Sequence, residues 1–581
     1  MRIIAPKTNN SDQEKEKLKN YPLNKTVDYV NVRELVEGSA KLYGDKIAYS
    51  YRASGSDKKA YKVSFNQLRD DVQAIVTAFH ANGIAGKHVA VIGKMSYSWA
   101  CAYFSLLSSG SVIVPLDKDW TGADLAATVA RAECEYVFCD ADISAKANDI
   151  LEFEGTTVKQ AFILDGNDEN SLEGMKAKGE ILVADGDDSY FTCRINPSEM
   201  SLLVFTSGTT GKGKGVMLSQ NNIIANIVHG MKLVSISDKA VAVLPPHHTF
   251  GSTINLLGHL SLGCELYISG GLKYIQKELK EEKPKHLVLV PLYLETFYRK
   301  IWANIKKEDK EDLVKNMMKV SNNLRKAGID MRRKLFSSIL AAFGGELRLV
   351  ICGGAPINKE ILEAYDAWGI TVLNGYGITE CSPLIAVNRN KIQVPGSVGF
   401  VIPEDKVFIA DPNAEGEGEI RVKGPNVMLG YYKDPEATLE AFDENGYFKT
   451  GDYGTFVDGI LSITGRKKNL IILSNGKNVY PEEIECEFIS VPGLLDIVVY
   501  EGQSRRGLEH NAIVAEIYPD KEYFEKNGIE DIKEYFKGYM NEYNKTAVPY
   551  KKISILKIRK EEFPKNTLRK IMRFKIDMSI D

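Results

Sequence analysis

The sequence predicts an α/β protein. A large N-terminal domain of parallel-rich sheets covered by helices, with a small β-barrel-like subdomain, is followed by a small, mobile α+β domain at the C-terminus. Two observations support this prediction. Amphipathic helices alternate with short apolar strands, which is typical of parallel sheets. The pattern then changes near residues 395 and 465, first to short strands with dense turn signals and then to a shorter mixed unit.

The first helix–strand unit lies between residues 65 and 94. Residues 88–94, HVAVIGK, are predicted as a short buried strand. An apolar helix over about 97–109 then ends at Gly110, and residues 111–117, SVIVPLD, are again extended. The apolar side chains that share one face of the first helix at the 3.6-residue period are Phe65, Leu68, Val72, Ile75, Val76 and Phe79.

Further apolar runs predict the other strands of the large domain, and several end in glycine. In open α/β sheets, ligands bind where the carboxyl ends of strands give way to loops, so these ends are the expected site. The lysine-rich stretch 302–346 has helical apolar spacing and is interpreted as a solvated helical excursion. The runs are LLVF (202–205), AVAVLP (240–245), LVLVP (287–291), RLVICGG (348–354) and ITVLNGYG (370–377).

One domain boundary is predicted, close to the basic segment GRKKN (465–469). The chain before it, residues 1–465, is expected to form the large domain. Residues 466–581 are expected to form a small domain with a lysine-rich end.

Composition excludes several classes of protein. The 581 residues carry 74 Lys and Arg against 77 Asp and Glu, so no net basic field favours nucleic acid as a partner. The eight cysteines include no C-x-x-C pair, which indicates reduced thiols. No signal-peptide core and no run of about 18 apolar residues occurs. A cytoplasmic protein is predicted, and the sequence leaves room for peripheral membrane contact and for a homodimer.

The strongest local signal is the glycine-rich stretch 202–219, LLVFTSGTTGKGKGVMLS, read as a strand, a loop and a helix from about Asn221. Glycines leave backbone N–H groups free to face a phosphate, and either Lys212 or Lys214 adds a cation. The hydroxyl donors of the loop are Thr206, Ser207, Thr209 and Thr210.

A Walker A loop is the first alternative for this stretch. Gly208, Gly213 and Lys214 satisfy its G-x-x-x-x-G-K part. The next residue must be Ser or Thr to bind Mg²⁺, and here it is Gly215. The Walker interpretation therefore fails at its metal ligand.

The loop resembles instead the phosphate loop of the adenylate-forming superfamily, which includes acyl-CoA synthetases, luciferases and peptide-synthetase adenylation domains. The family pattern is close to [ST]-S/T-G-T-T-G-x-P-K-G-V, and this chain departs from it at Gly213, the usual proline. The resemblance implies that Lys214 is the phosphate-loop lysine and that Thr206 contacts Mg²⁺. The other loop residues that it assigns to the nucleotide are Ser207, Gly208, Thr209, Thr210 and Gly211.

A second motif, NGYGITECSP (374–383), resembles the adenine motif of the same family. It implies that Tyr376 stacks on the base, that Thr379 meets phosphate and that Glu380 binds Mg²⁺. An aromatic face suits a purine, and a carboxylate beside a polyphosphate needs a divalent cation between them. The remaining nucleotide contacts that these motifs imply are Asn374, Gly375 and Gly377, together with Gly354 and Ala355 of CGGAP (352–356).

Three further residues follow from motifs in the family order. In YFKTGDYG (447–454), Asp452 is the residue expected to accept both ribose hydroxyls, because a carboxylate is a bidentate acceptor for a vicinal diol. In the GRKKN segment, Arg466 is expected to reach ribose or phosphate, and Lys468 occupies the hinge position.

The catalytic lysine of the family matches Lys570 in FPKNTLRKIMR (563–573). Two residues of this motif depart from the pattern, since Arg569 replaces the usual glycine and Asn566 the usual threonine. The resemblance extends from about residue 30 to 575, and the segments between motifs are most similar to bacterial long- or medium-chain acyl-CoA synthetases.

The resemblance implies an ATP-dependent acid–thiol ligase that uses ATP, Mg²⁺ and CoA. A carboxylic acid would become an acyl-adenylate and then acyl-CoA. The apolar segments 244–263 and 287–297 favour an aliphatic or aromatic acid over an amino acid, and the resemblance implies a fatty acid. His248 matches the histidine that the family places near the carboxylate. Two alternatives stay open: transfer to the phosphopantetheine of an acyl carrier protein, and an inactive nucleotide-binding homologue.

Overall fold

The computed structural model describes residues 2–3, 22–206, 213–473, 478–502, 512–565 and 571–580. In chain order the strands are β1 (Arg2–Ile3), β2 (Ile47–Tyr51), β3 (Tyr61–Ser64), β4 (His88–Ile92), β5 (Val112–Leu116), β6 (Tyr136–Cys139), β7 (Gln160–Ile163), β8 (Met200–Thr206), β9 (Lys214–Ser219), β10 (Lys239–Ala242), β11 (Glu265–Ile268), β12 (His286–Leu289), β13 (Leu349–Cys352), β14 (Thr371–Gly377), β15 (Leu384–Val387), β16 (Ile392–Gln393), β17 (Gly399–Val401), β18 (Lys406–Ala410), β19 (Gly418–Lys423), β20 (Gly430–Tyr431), β21 (Phe448–Val457), β22 (Ile460–Arg466), β23 (Ile471–Ile472), β24 (Asn478–Val479), β25 (Leu494–Gly502), β26 (Ala512–Pro519) and β27 (Ile555–Ile558).

The α-helices are α1 (Val32–Tyr43), α2 (Phe65–Ala81), α3 (Tyr97–Ser108), α4 (Gly122–Arg131), α5 (Ser144–Leu151), α6 (Leu172–Ala184), α7 (Ser189–Thr192), α8 (Gln220–Leu233), α9 (Gly258–Ser261), α10 (Ile275–Glu282), α11 (Pro291–Lys307), α12 (Glu311–Lys326), α13 (Arg332–Leu335), α14 (Ser337–Leu340), α15 (Lys359–Ala367), α16 (Pro435–Ala441), α17 (Pro481–Phe488), α18 (Lys521–Lys526) and α19 (Ile532–Thr546). A π-helical segment, Phe250–Leu257, precedes α9. Short 3₁₀ turns lie at Ala141–Ile143, Ala341–Phe343, Thr379–Cys381, Lys467–Asn469, Pro549–Lys551 and Arg573–Lys575.

Two sheets form the large domain. One has seven strands in the order β20-β9-β8-β5-β4-β6-β7, with parallel pairing from β8 to β7. The other has thirteen strands in the order β18-β19-β21-β22-β17-β15-β14-β13-β12-β10-β11-β2-β3. Its strands from β14 to β2 are parallel, and β15, β17, β22, β21, β19 and β18 extend it in antiparallel fashion. The predicted α/β class is confirmed.

The helices cover these sheets because their apolar faces are buried, as the spacing of their residues predicts. Ser64 caps α2 and Ser96 caps α3, since the hydroxyl of each accepts a hydrogen bond from a first-turn N–H. Trp99 and Tyr103 of α3 are fully buried, and every residue of that helix from Trp99 to Ser108 is buried. This is why α3 is apolar on all sides rather than amphipathic.

The chain beyond β22 forms smaller sheets of its own. Strands β23 and β24 pair with each other, and β25, β26 and β27 form a three-stranded sheet. Helices α17 and α19 contribute Ile484, Phe488 and Phe536 to a core separate from that of the large sheets. A small C-terminal α+β domain is thus present, while its boundary at residue 465 stays a prediction.

The phosphate-loop region differs in one element from the prediction. The sequence predicts a loop that continues to a helix from about Asn221, whereas Lys214–Ser219 form the strand β9, antiparallel to β8. Helix α8 begins at Gln220, one residue from the predicted start, and Ser219 and Asn222 form a reciprocal capping box there. Thr206 and Lys214, at the facing ends of β8 and β9, therefore flank the glycine-rich stretch. In the described ranges, no helix has both the length and the hydropathy needed to cross a membrane.

Candidate active site

One cleft of about 4440 Å³ lies at the carboxyl ends of the parallel strands. Its walls come from both large sheets and from the C-terminal domain, as expected for the ligand site of an open α/β fold. Every predicted site residue in the described part of the chain lines it. These residues are Thr206, Lys214, His248, Gly354, Ala355, Asn374, Gly375, Tyr376, Gly377, Thr379, Glu380, Asp452, Arg466 and Lys468. Ser207, Gly208, Thr209, Thr210, Gly211 and Lys570 lie outside the described residues.

The base of the glycine-rich hairpin is closed by close backbone contacts. Thr206 pairs with Lys214 across β8 and β9, and the Thr206 hydroxyl donates to the Lys214 carbonyl at 3.4 Å. A Cβ atom on Gly213 would lie 2.3 Å from the carbonyl oxygen of Thr206. A residue with a side chain therefore does not fit at position 213 without moving this backbone.

Arg131, at the end of α4, contacts the same hairpin base. Its Nη2 donates to the Gly213 carbonyl oxygen at 2.5 Å, and its guanidinium carbon lies 4.6 Å from the centroid of the Phe205 ring. One side chain thus touches the residues on both sides of the loop, and it also lines the cleft. Nothing in the local sequence marks Arg131, because the contact joins residues 82 positions apart.

The centre of the cleft holds a hydrogen-bonded trio. The Tyr376 hydroxyl donates to Oδ2 of Asp452 at 2.6 Å, and Nε of Arg466 lies 2.9 Å from Oδ1 of the same carboxylate. Asp452 is 3% exposed. The register of β21 and β22 places Asp452 opposite Arg466, so the hairpin itself forms the ion pair.

The contacts within this trio raise the pKa values of Arg466 and Tyr376. The charge of Asp452 raises the pKa of Arg466, and burial followed by the Asp452 charge raises the pKa of Tyr376 well above its usual value. Tyr376 is consequently a neutral hydrogen-bond donor and Arg466 a permanent cation. The arrangement offers an aromatic face, a carboxylate and a guanidinium within one small space.

Glu380 lies in the 3₁₀ turn that follows β14. Its Oε1 accepts a hydrogen bond from the Tyr431 hydroxyl at 3.0 Å, and burial raises the pKa of the Glu380 carboxyl. A buried carboxylate is costly unless a cation is close, so this residue suits a divalent ion. Across the described ranges, no three His, Cys, Asp or Glu side chains come together around a common point. The residues therefore fit Mg²⁺ shared with the phosphates of a nucleotide, not one held in an all-protein cage.

His248 lies in the loop before the π-helical segment, beside His247. The two ring centroids are 4.0 Å apart, and His247 Nε2 lies 3.3 Å from Oδ2 of Asp117. Burial, reinforced by His247, lowers the pKa of His248 to about 3, so the ring is neutral at physiological pH. Its Nε2 is buried without a hydrogen-bond partner in the protein, which leaves it free for a polar group of a ligand.

Lys468 lies in the 3₁₀ turn directly after β22, where the large sheet ends. Burial and then the charge of Arg466 lower the pKa of this lysine.

The ends of the segment around Lys570 are held in the C-terminal domain. Lys565 bonds Asp496 at 2.7 Å, and the Arg573 guanidinium contacts Glu485.

Two polar residues near the site were missed by sequence reasoning. Arg131 carries no motif. Tyr431 lies in GPNVMLGYYKDPEATLEAF (424–442), which resembles acyl-CoA synthetases as a segment but assigns no role to the tyrosine. Its contact with Glu380 spans 51 residues, so only the fold could reveal it.

Comparisons with known proteins agree with this geometry. Residues 36–432 match the family described as AMP-binding enzyme. The chain is 28% identical over 462 residues to long-chain-fatty-acid–CoA ligase FadD15 of Mycobacterium bovis, covering 75% of each chain. It is 26% identical over 588 residues to long-chain-fatty-acid–[acyl-carrier-protein] ligase AEE15 of Arabidopsis thaliana, covering 87% of this chain and 78% of that one. The structure of ATP-bound MatB from Rhodopseudomonas palustris superposes with a TM-score of 0.71 at 24% identity, over 94% of this chain and 97% of that one.

Proposed function

Because the chain belongs to the AMP-binding enzyme family, we propose that it activates a fatty acid with ATP and transfers the acyl group to CoA. The observation that carries this proposal is the convergence of three groups in one cleft. They are the Tyr376–Asp452–Arg466 trio, the Glu380 carboxylate, and the Thr206–Lys214 base of the β8–β9 hairpin. Together these groups can bind the three parts of a nucleotide: the purine, the ribose and the polyphosphate.

Nucleotide binding follows from the chemistry of these groups. The Tyr376 ring offers its face to the base, and Asp452 can accept both ribose hydroxyls. Arg466, paired with Asp452, is placed to meet ribose or phosphate oxygen. The backbone at Asn374, Gly375 and Gly377 lies along the same wall of the cleft.

The first chemical step joins two anions, so the protein must supply positive charge. The acid's carboxylate oxygen attacks the α-phosphorus of ATP, the bond to the β-phosphate oxygen breaks, and pyrophosphate leaves. Lys214 and Lys570 are the cations assigned to this step, and the N–H groups of the glycine-rich loop are the dipoles assigned to the phosphates. Mg²⁺, when bound with ATP at Glu380 and Thr206, neutralises phosphate charge.

His248 is the residue best placed to orient the acid. Its ring is neutral, and its Nε2 has no partner in the protein. The apolar lining next to it favours an aliphatic tail over an amino acid, which would need an acidic partner for its ammonium group. The apolar lining residues are Leu244, Pro245, Pro246, Phe250, Val290, Pro291, Leu292 and Phe297. The curated relatives named above are described as ligases of long-chain fatty acids, which supports the same acid here.

In the second step the thiol must reach the acyl-adenylate, which requires a different arrangement of the two domains. The thiol attacks the acyl carbon, a thioester forms and AMP leaves. We infer that the C-terminal domain rotates about Lys468 between the steps and carries Lys570 away from the phosphates. Support comes from the position of Lys468, in a single turn between the last strand of the large sheet and the first strand of the smaller ones.

A second acceptor is favoured by one specific observation. The Arabidopsis relative, aligned over 87% of this chain, is described as an acyl-carrier-protein ligase. The adenylation step would be the same, and the phosphopantetheine thiol of a carrier would replace CoA. A cytoplasmic location, a homodimer and the domain boundary at residue 465 stay predictions.

The experiment that tests the proposal is a thioester assay. The purified protein is incubated with ATP, Mg²⁺, a series of fatty acids, and either CoA or a holo acyl carrier protein, and products are identified by mass spectrometry. Acyl-CoA and AMP are expected. Acylated carrier protein without acyl-CoA would establish the carrier as the acceptor. Formation of neither product with any acid would contradict transfer to CoA and transfer to a carrier alike.

A further inference from the structure

The segment 428–432 joins the Glu380 turn to the phosphate-loop hairpin. At one end, the N–H of Met428 donates to the carbonyl oxygen of Glu380 at 2.8 Å. At the other, β20 pairs with β9, and the N–H of Tyr432 donates to the Gly215 carbonyl at 2.7 Å. Glu380 and Lys214 lie far apart in the chain, and this segment is hydrogen-bonded to the backbone of Glu380 and to that of Gly215, the residue after Lys214.

The side chain of Tyr431 makes a second connection between Glu380 and Lys214, inside the cleft. Its hydroxyl donates to Oε1 of Glu380 at 3.0 Å, and Nζ of Lys214 lies over its ring, 4.5 Å from the centroid. Tyr431 is 8% exposed. One side chain therefore holds the carboxylate by its polar end and the ammonium group by its aromatic face.

The backbone fixes where the Tyr431 side chain points. The N–H of Tyr431 donates to the Thr438 hydroxyl at 2.8 Å, and Thr438 belongs to α16, which is capped by Asp434. Gly430 precedes it with φ +143°, and a Cβ there would lie 2.7 Å from Cγ2 of Thr438. The glycine lets the strand approach the helix closely, so the tyrosine enters the cleft from a rigid base.

We propose that Tyr431 is a positioning residue for adenylation, which holds the cation-binding carboxylate of Glu380 and the phosphate-facing ammonium of Lys214 at a fixed separation. This role rests on the proposed function, since it takes Glu380 as the Mg²⁺ ligand and Lys214 as the phosphate lysine. The two contacts use different parts of the side chain and can be removed one at a time.

The first test removes the hydroxyl alone. Tyr431→Phe keeps the ring under Lys214 and frees the Glu380 carboxylate. In fatty-acid-dependent ATP–pyrophosphate exchange, we expect the half-saturating Mg²⁺ concentration to rise about tenfold, with the maximal rate largely recovered at high Mg²⁺. Calorimetric titration with ATP gives an independent readout: affinity should fall with Mg²⁺ present and stay unchanged with EDTA.

The second test removes the ring. Tyr431→Leu should add a fall in the maximal rate that high Mg²⁺ does not recover. This added effect should vanish in a Lys214→Ala background, because the ring then has no ammonium to hold. Melting temperatures verify folding, and Tyr431→Phe decides the question if the leucine variant does not fold.

The matched control is the next residue. The Tyr432 hydroxyl also bonds a glutamate, Glu133, at 2.8 Å, but Tyr432 does not line the cleft. Tyr432→Phe should leave the Mg²⁺ dependence unchanged. An unaltered Mg²⁺ dependence in Tyr431→Phe, or an equal change in Tyr432→Phe, would overturn the positioning role alone. Absence of exchange in the wild-type protein with every acid would instead overturn the proposed function and this role with it.

Discussion

The Tyr376 hydroxyl donates to Oδ2 of Asp452 at 2.6 Å and leaves Oδ1 to Arg466 at 2.9 Å. The residue proposed to face the base and the one proposed to face the ribose are thus held by each other, across 76 residues of chain. Changes at Asp452 should therefore disturb both parts of a bound nucleotide.

Asp452→Asn tests this coupling. The amide lacks the charge that pairs with Arg466, and its NH₂ group cannot accept a ribose hydroxyl. ATP affinity, measured by calorimetry, should fall about tenfold or more. Asp443→Asn is the control, because Asp443 pairs with Arg421 at 3.0 Å outside the cleft. An equal loss in both variants would show that the effect of Asp452 is structural.

Gly213 gives a prediction that runs against the family pattern. Proline is usual at this position, yet a Cβ here would lie 2.3 Å from the Thr206 carbonyl oxygen. Gly213→Pro and Gly213→Ala should each lower kcat/KM for ATP in pyrophosphate exchange by about tenfold. Gly538→Ala is the control, since nothing lies within 4 Å of that Cβ in α19. A Gly213→Pro variant as fast as wild type would contradict the observed hairpin geometry.

His248 should make stability depend on pH in a defined direction. Its pKa is about 3 in the folded protein, mainly through burial, against an ordinary value of 6.5. The unfolded chain binds the extra proton between these values, so the free energy of unfolding falls as pH drops below 6.5.

The measurement compares denaturant unfolding of wild type and His248→Asn at several pH values. The variant should lose less stability on acidification, by roughly 2–3 kcal/mol at about pH 4. Parallel pH dependences in the two proteins would show that His248 binds its proton in the folded state as readily as in the unfolded one.

Lys570 should be needed for only one of the two half-reactions. Lys570→Ala should lose adenylation yet form thioester from supplied acyl-adenylate, because only the first step must neutralise the phosphates. Lys575→Ala, an exposed lysine nearby, should keep both activities. Adenylation near the wild-type rate in Lys570→Ala would mean that another residue is the catalytic lysine.

Much of the fold followed from local patterns. Buried strands such as β4 and β13 are short apolar runs, and the helix α2 repeats its apolar residues at the helical period. The cleft residues that lie in motifs could also be identified from local sequence, because each motif is a contiguous stretch of the chain. The hairpin strand β9 was missed because its pairing with β8, not its own propensity, decides its structure.

The contacts of Arg131 and Tyr431 could not be predicted from the sequence. Each side chain meets a partner brought close only by the packing of separate elements: Arg131 by α4 against the hairpin, and Tyr431 by β20 against β9. Local sequence contains no signal for such contacts. Both residues support groups that the motifs already identify.

Fatty-acid-dependent exchange of labelled pyrophosphate into ATP tests the central claim most directly, because it reports formation of the acyl-adenylate before any thiol is needed. We predict exchange that requires both Mg²⁺ and a fatty acid, and that needs a higher ATP concentration in Asp452→Asn. Exchange with no carboxylic acid in a broad series, by a protein shown to be folded, would contradict the proposed activity.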